Sequence, residues 1–248
     1  MTHALSLLAP PTVSVRGLAF LDANCQQLTA LLSHRLQKCR STVIFTPNAK
    51  IGADAQRDPH LHDLLCRADL LLPDGAGVLL ASRRCASRPL RYRLPGIEAG
   101  ERVLLLAAAY GYPVYFLGGQ DGVAAAAAGQ MQQMFPGLLV AGCHHGYFDT
   151  TGQPNDHILQ HIAASGAEIV LVCLGFPAQE KWILRNRDAL SSVRLFMGLG
   201  GSFDVWAGKL RRAPAFFRAV HMEWLWRMLL EPHRLSQLPS MLHYVFGK

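Results

Sequence analysis

Chemistry in this chain has to come from a few polar residues set against an apolar background, and Asp74 is the first of them to weigh. It lies in Leu71-Leu72-Pro73-Asp74-Gly75-Ala76-Gly77-Val78, where a carboxylate ends an apolar run and two glycines lead into a helical pattern. A carboxylate so placed can face a cleft with the backbone close on one side. That is the setting of a general base whose pKa is held near the working range. The same string also reads as an Asp-Gly turn or a helix N-cap, and the local residues leave both readings open.

Two further strings follow apolar runs in the same way. In Thr46-Pro47-Asn48-Ala49-Lys50 a hydroxyl and an amide can hydrogen-bond a sugar or cap the chain's own helix. In Leu174-Gly175-Phe176-Pro177-Ala178-Gln179-Glu180-Lys181-Trp182 a glycine turn exposes the start of a helix, which attracts anions, with Gln179 in its first turn. Two other signals are weaker. Gly118-Gly119-Gln120-Asp121-Gly122 lacks the full Gly-x-Gly-x-x-Gly spacing of a dinucleotide loop. The rings of His144 and His145 are expected to diverge, and no carboxylate stands at metal-ligand spacing from them. The chain also has no Gly-x-Ser-x-Gly elbow, Walker loop or Asp-x-Asp motif.

These loops need strands and helices to position them. Short β-branched runs alternate with helical patterns, as in an α/β fold with a largely parallel sheet. Strands are expected at 12–15, 42–46, 70–72, 114–117, 138–141, 169–174 and 195–197. Helices are expected from Ala23 to Leu36, with Asp22 as cap, and over 98–110, 123–134, 157–164 and 179–190. A short helix opens at Ser202, another spans Pro214 to about Leu230, and an amphipathic one runs from Leu235 to Phe246. Ligands of open α/β sheets bind at the carboxyl ends of the strands, where the three strings lie.

At 248 residues, half of them hydrophobic, the chain can bury one sizeable core. The net charge of +7 is concentrated late: from Ala207 onward seven bases face two acids, which implies an acidic partner. That tail also carries Phe216, Phe217, Trp224, Trp226 and Met228. It reads equally as a helix docked on the core or as an interfacial helix on anionic lipid. The six cysteines stand singly, with no Cys-x-x-Cys pair, so a reducing cytoplasm is the simplest compartment. Met1 to Pro11 lacks the form of a signal peptide. The apolar stretch Val103–Gly119 is interrupted by Gly111 and Pro113, short of the about 20 residues a span needs.

Taken together and in order, these strings resemble the bacterial WecG/TagA/CpsF glycosyltransferase family, from about Val13 to Phe246. The likeness rests on Thr46-Pro47-Asn48, Pro73-Asp74-Gly75-Ala76-Gly77-Val78, Arg93-Leu94-Pro95-Gly96, Tyr115-Phe116-Leu117-Gly118-Gly119 and Leu174 to Glu180. Gly198-Leu199-Gly200-Gly201-Ser202-Phe203-Asp204, Glu223-Trp224-Leu225-Trp226-Arg227 and Glu231-Pro232-His233-Arg234 extend it.

The resemblance implies a Rossmann-like sheet flanked by helices, with a catalytic domain over 1–206 and a basic, aromatic helical appendage over 207–248. It implies an inverting, metal-independent enzyme without cofactor, peripheral on the cytoplasmic face of the membrane. Its donor would be a UDP-sugar and its acceptor a polyprenyl-pyrophosphate-linked sugar. Known members add N-acetylmannosamine to undecaprenyl-pyrophosphate-linked N-acetylglucosamine in teichoic-acid synthesis, and others transfer a uronic acid or glucose. The family's proposed base aligns with Asp74, its polar substrate residues with Thr46, Asn48, Arg93 and Gln179, and its donor-pyrophosphate arginines with Arg227 and Arg234. Further partners it allows are an anionic membrane surface and a second copy of the chain, with no nucleic acid. The rival readings are a nucleotide-dependent oxidoreductase, resting on the Gly118 loop, and a non-enzymatic basic binding module, resting on the tail. Neither accounts for the Thr46, Asp74 and Gly175 loops together.

Overall fold

A strand that is apolar throughout has to be covered on both faces, and the strands at Val114–Gly118 and Ile169–Cys173 are buried at every position. The computed structural model describes residues 10–38, 41–211, 213–214, 216–217, 226 and 232–247. Among these residues, the chain opens with β1 (Thr12–Val15), β2 (Leu18–Leu21), α1 (Cys25–Leu36), β3 (Thr42–Phe45), α2 (Ala49–Arg57) and α3 (Pro59–Cys66). Then come β4 (Leu70–Leu71), α4 (Ala76–Cys85), α5 (Gly96–Tyr110), β5 (Val114–Gly118), α6 (Val123–Met134) and β6 (Val140–His144). The rest are α7 (Gly152–Ala164), β7 (Ile169–Cys173), α8 (Ala178–Asn186), β8 (Leu195–Gly198), α9 (Ser202–Trp206), a 3-10 helix (Pro232–Gln237) and α10 (Leu238–Phe246).

The fold is α/β with a largely parallel sheet, as the alternation of apolar runs and helical patterns predicts. In its described residues the chain forms two compact units: the first lies within 1–27, 46–95 and 211–248, the second within 28–45 and 96–210. It passes from the second to the first between Leu210 and Arg211, so the C-terminal residues share a unit with the Thr46 and Asp74 loops.

In the first unit β1 and β2 form an antiparallel hairpin, with Val15 opposite Leu18, and β2 runs parallel to β4. The hairpin turn is Arg16-Gly17, both at positive φ, as a two-residue turn that follows the strands' twist requires. The last helix, α10, rests on α2 and α4. Tyr244 is fully buried there, and a Cβ on Gly52 would stand 2.5 Å from its ring, so α2 presents a notch to the tyrosine. Arg16 donates to the Gly247 carbonyl, closing the end of α10 onto the hairpin.

In the second unit five parallel strands lie in the order β3-β8-β7-β5-β6. The strand β5 has β7 on one side and β6 on the other, so the strand order reverses there, where open α/β sheets form their ligand crevice. A buried polar relay joins α7 to α8: Trp182 Nε1 donates to Asn155 Oδ1 (2.8 Å), and Asn155 Nδ2 donates to Asn186 Oδ1 (3.2 Å).

Several expectations change, two of them helix limits: α7 starts at Gly152 rather than His157, and α8 ends at Asn186 rather than Leu190. Asp22 does not cap α1; Asn24 does, its Oδ1 accepting from the Gln27 N–H (2.9 Å) while Gln27 Oε1 accepts from the Asn24 N–H (3.0 Å). The rings of His144 and His145 do not diverge: their centroids lie 4.3 Å apart, because the His144 ring turns back to the His145 carbonyl (2.8 Å). The strand after α6 starts at Val140 rather than Leu138. The helix expected over 214–230 falls largely outside the described residues, as does Arg227.

Candidate active site

Asp74 stands at the exit of β4 in a turn whose next residue is Gly75, at φ +84°, a backbone state that favours glycine. That turn sends the chain into α4, with the half-buried carboxylate just ahead of the helix N-terminus. The Asp74 N–H donates to the Pro47 carbonyl (3.4 Å), which joins this turn to the Thr46–Asn48 loop. One residue back, the Pro73 carbonyl accepts from the Leu94 N–H (2.9 Å), which brings in the segment bearing Arg93. The backbone thus ties three separate sequence strings in series within the first unit, and Thr46, Asn48, Asp74 and Arg93 are all half-buried there.

Each loop has its own support. Asn48 is the N-cap of α2, extended in backbone, and its Oδ1 accepts from the Ile51 N–H (3.1 Å). The cap uses the amide oxygen, so any donation to a ligand falls to Nδ2. Lys50, the cation of the same string, pairs with Asp54 at 2.6 Å. The Arg93 segment is fixed by Asp22, a 0% exposed carboxylate that accepts from both the Arg91 N–H and Arg91 Nε at 2.9 Å, with Arg88 at 3.5 Å. Ser82 Oγ accepts from the Leu90 N–H (3.0 Å) and completes the anchorage.

Gln179 lies in the second unit, in the first turn of α8, and is 4% exposed. Its Oε1 accepts from the Gly200 N–H (3.0 Å), and its Nε2 donates to Glu180 Oε1 (2.9 Å). Burial pushes the Glu180 carboxyl up to about 7, against the downward pull of the Gln179 hydrogen bond. Nothing in the sequence sets Glu180 apart, since it reads there as an ordinary first-turn acid. Arg234 lies in the 3-10 helix, and its side chain is outside the described residues, as is all of Arg227.

The remaining loops of the second unit meet at the carboxyl ends of β5, β6 and β7. Gly118 pairs with Cys173 at the end of the parallel β5–β7 ladder, so closely that a Cβ would fall 2.3 Å from the Cys173 carbonyl oxygen. The Gly119 N–H then donates to that carbonyl (3.0 Å), and the Gly146 N–H donates to the Gly119 carbonyl (2.7 Å). Close packing against Cys173 and Val123 therefore accounts for the paired glycines without a dinucleotide. Beside them a cavity of ≈ 460 Å³ is lined by Gln120, Asp121, His145 and Tyr147. Among the described residues, no group of three or more His, Cys, Asp or Glu is arranged to hold a metal ion.

The sequence profile described as the glycosyl transferase WecG/TagA/CpsF family matches residues 13–246, nearly the whole chain. The chain belongs to this family. An N-acetylglucosaminyldiphosphoundecaprenol N-acetyl-beta-D-mannosaminyltransferase of Bacillus spizizenii is 34% identical over 238 residues, covering 94% of this chain and 89% of that protein. A Staphylococcus aureus protein of the same name is 33% identical over 210 residues, covering 85% of this chain and 80% of its own. As a WecG/TagA/CpsF protein the chain is a glycosyltransferase, and the tied loops around Asp74 are its candidate active site.

Proposed function

We propose that this chain transfers N-acetylmannosamine from UDP-N-acetylmannosamine to undecaprenyl-pyrophosphate-linked N-acetylglucosamine, with inversion and without a metal ion. The observation that carries the reading is the backbone tie that holds Asp74 with the Asn48 and Arg93 loops. The near end-to-end likeness to transferases named for this reaction supports the substrates.

In this mechanism the Asp74 carboxylate takes the proton from the acceptor sugar's hydroxyl. The freed oxygen attacks the donor's anomeric carbon from the face opposite UDP. The bond from that carbon to the phosphate oxygen breaks, and UDP leaves with the electron pair. Thr46, Asn48, Arg93 and Gln179 orient the hydroxyl and acetamido groups of the substrates. Arg227 and Arg234 offset the charge that grows on the leaving pyrophosphate.

The enzyme works as a peripheral protein on the cytoplasmic membrane face. No helix among the described residues is long and apolar enough to cross a membrane. Exposed Leu242 and Phe246 on α10, with the Arg84 guanidinium 4.8 Å from the Phe246 ring centre, offer the mixed apolar and cationic surface that anionic lipid attracts.

The deciding experiment is a product assay with a soluble pyrophosphate-linked N-acetylglucosamine acceptor and a panel of UDP-sugars, with lipid present. Turnover is expected with UDP-N-acetylmannosamine. A folded enzyme that uses no donor sinks the transferase reading, and a preference for UDP-glucose or a UDP-uronic acid reassigns the sugar.

A further inference from the structure

Glu180 is buried beside Gln179 yet has no part in the chemistry above. It is 2% exposed, its Oε1 accepts from Gln179 Nε2 at 2.9 Å, and its Oε2 is buried without a hydrogen-bond partner. A buried polar atom left unpaired is costly, so the position gains something else from carrying an acid.

The gain is visible in Gln179. An amide has two ends of similar shape, and only its partners decide which way it points. Here the oxygen meets the Gly200 N–H at 3.0 Å and the nitrogen meets the Glu180 oxygen at 2.9 Å. Reversal would set N–H against N–H and oxygen against oxygen. Without the Glu180 acceptor, only the Gly200 bond would resist it. The space is equally tight: a Cβ on Gly198 would stand 2.8 Å from Gln179 Nε2. The Gln179 N–H donates to the Gly175 carbonyl (2.9 Å), so the residue is fixed at its backbone as well. The relay from Glu180 through Gln179 to Gly200 therefore links the turn after β7 to the turn after β8.

We infer that Glu180 is a positioning residue for sugar transfer: it sets the Gln179 amide, and through it the Gly198–Gly201 turn, in the orientation that meets substrate. The inference rests on the reading of Gln179 as a substrate-binding residue.

The test compares Glu180→Ala, Glu180→Gln, Gln179→Ala and the double alanine variant by hydrogen exchange and by steady-state kinetics. The kinetics use UDP-N-acetylmannosamine and the soluble acceptor. Glu180→Ala is expected to speed exchange at Gly200 by roughly tenfold or more and to lower kcat/KM by about 10- to 100-fold. Glu180→Gln, which still presents an acceptor oxygen, stays within about threefold of wild type on both measures. The double variant is no worse in kcat/KM than Gln179→Ala alone, because the acid acts only through the amide.

Losses that multiply in the double variant overturn the proposal. So does a Glu180→Ala protein with wild-type exchange and kinetics. If Glu180→Ala does not fold, Glu180→Leu serves in its place under the same two criteria. Full turnover by Asp74→Asn defeats the base assignment and leaves this proposal standing. If no UDP-sugar is used at all, Gly200 exchange decides alone, and unchanged exchange in the alanine variant refutes the relay.

Discussion

The N–H of Asp74 donates to the carbonyl of Pro47 at 3.4 Å, so the proposed base and the loop that offers Thr46 and Asn48 share one backbone contact. The contact uses main-chain atoms of both residues, so the Asp74 side chain can be changed without cutting it. Asp74→Asn is therefore expected to fold normally and to lose about 10²- to 10⁴-fold in kcat, the range for removing a general base. Thermal unfolding and the product assay on one preparation check both halves. Near-normal turnover removes Asp74 as base.

Asn48 serves the helix with its oxygen and, in our reading, the substrate with its nitrogen, so two substitutions separate the roles. Asn48→Ala should cost about 1 kcal/mol of stability through the lost cap. Asn48→Asp caps as well as asparagine and should keep stability within roughly a few tenths of a kcal/mol, yet it has no amide donor. A fall in kcat/KM for Asn48→Asp at unchanged unfolding free energy is the expected result. Equal activity would assign Asn48 to the cap alone.

Asp22 sits far from Arg93 in sequence but holds the segment that carries it. Asp22→Ala removes the acceptor for both Arg91 donors and should cost about 2 kcal/mol. Hydrogen exchange over 88–95 should quicken, and kcat/KM should fall although no substrate contact is touched. Exchange confined to wild-type rates would show that Asp22 does not restrain that segment.

Glu180 gives stability a pH dependence of definite sign. Its folded pKa, about 7, is raised above the ordinary carboxylate range, so the folded state holds the proton more tightly. The stabilisation is complete below the unfolded pKa and is lost as pH rises through the folded one. Denaturant unfolding of wild type against Glu180→Gln at pH 5 and pH 8 should show wild type losing up to about 3 kcal/mol more across that interval. Parallel behaviour of the two proteins would contradict this.

Much of the fold was legible because burial on both faces leaves a plain mark. The runs that became β5 and β7 are apolar from end to end, and their limits came within a residue of expectation. Helix α2 left no such mark. Its buried face is Ala49, Gly52, Ala53 and Ala55, which packs by closeness rather than by hydrophobic bulk, so no stripe of large apolar residues marks it. Strand β2 leaves no signal because its hairpin turn places arginine, an unusual residue for positive φ, where asparagine or glycine would mark it. Asp22 looked like a helix cap because the acid that holds Arg91 and the asparagine that caps α1 stand two residues apart.

In the site, the strings around Thr46, Asp74 and Arg93 were visible as strings. Their mutual tie was not, since backbone hydrogen bonds from Pro47 and Pro73 carry no residue signature. Glu180 carries no mark in the sequence for a related reason. An acid in a first helical turn is commonplace, and only its burial makes it unusual.

The seating of α10 on α2 and α4 bears on how the protein is made. The second unit has all its parts once residue 210 has left the ribosome. The first cannot close around Tyr244 until α10 emerges, so the loops bearing Asp74 and Asn48 lack that support until residue 246 has been added. A nascent chain halted before Leu238 would carry the proposed catalytic carboxylate on a scaffold still missing its last support.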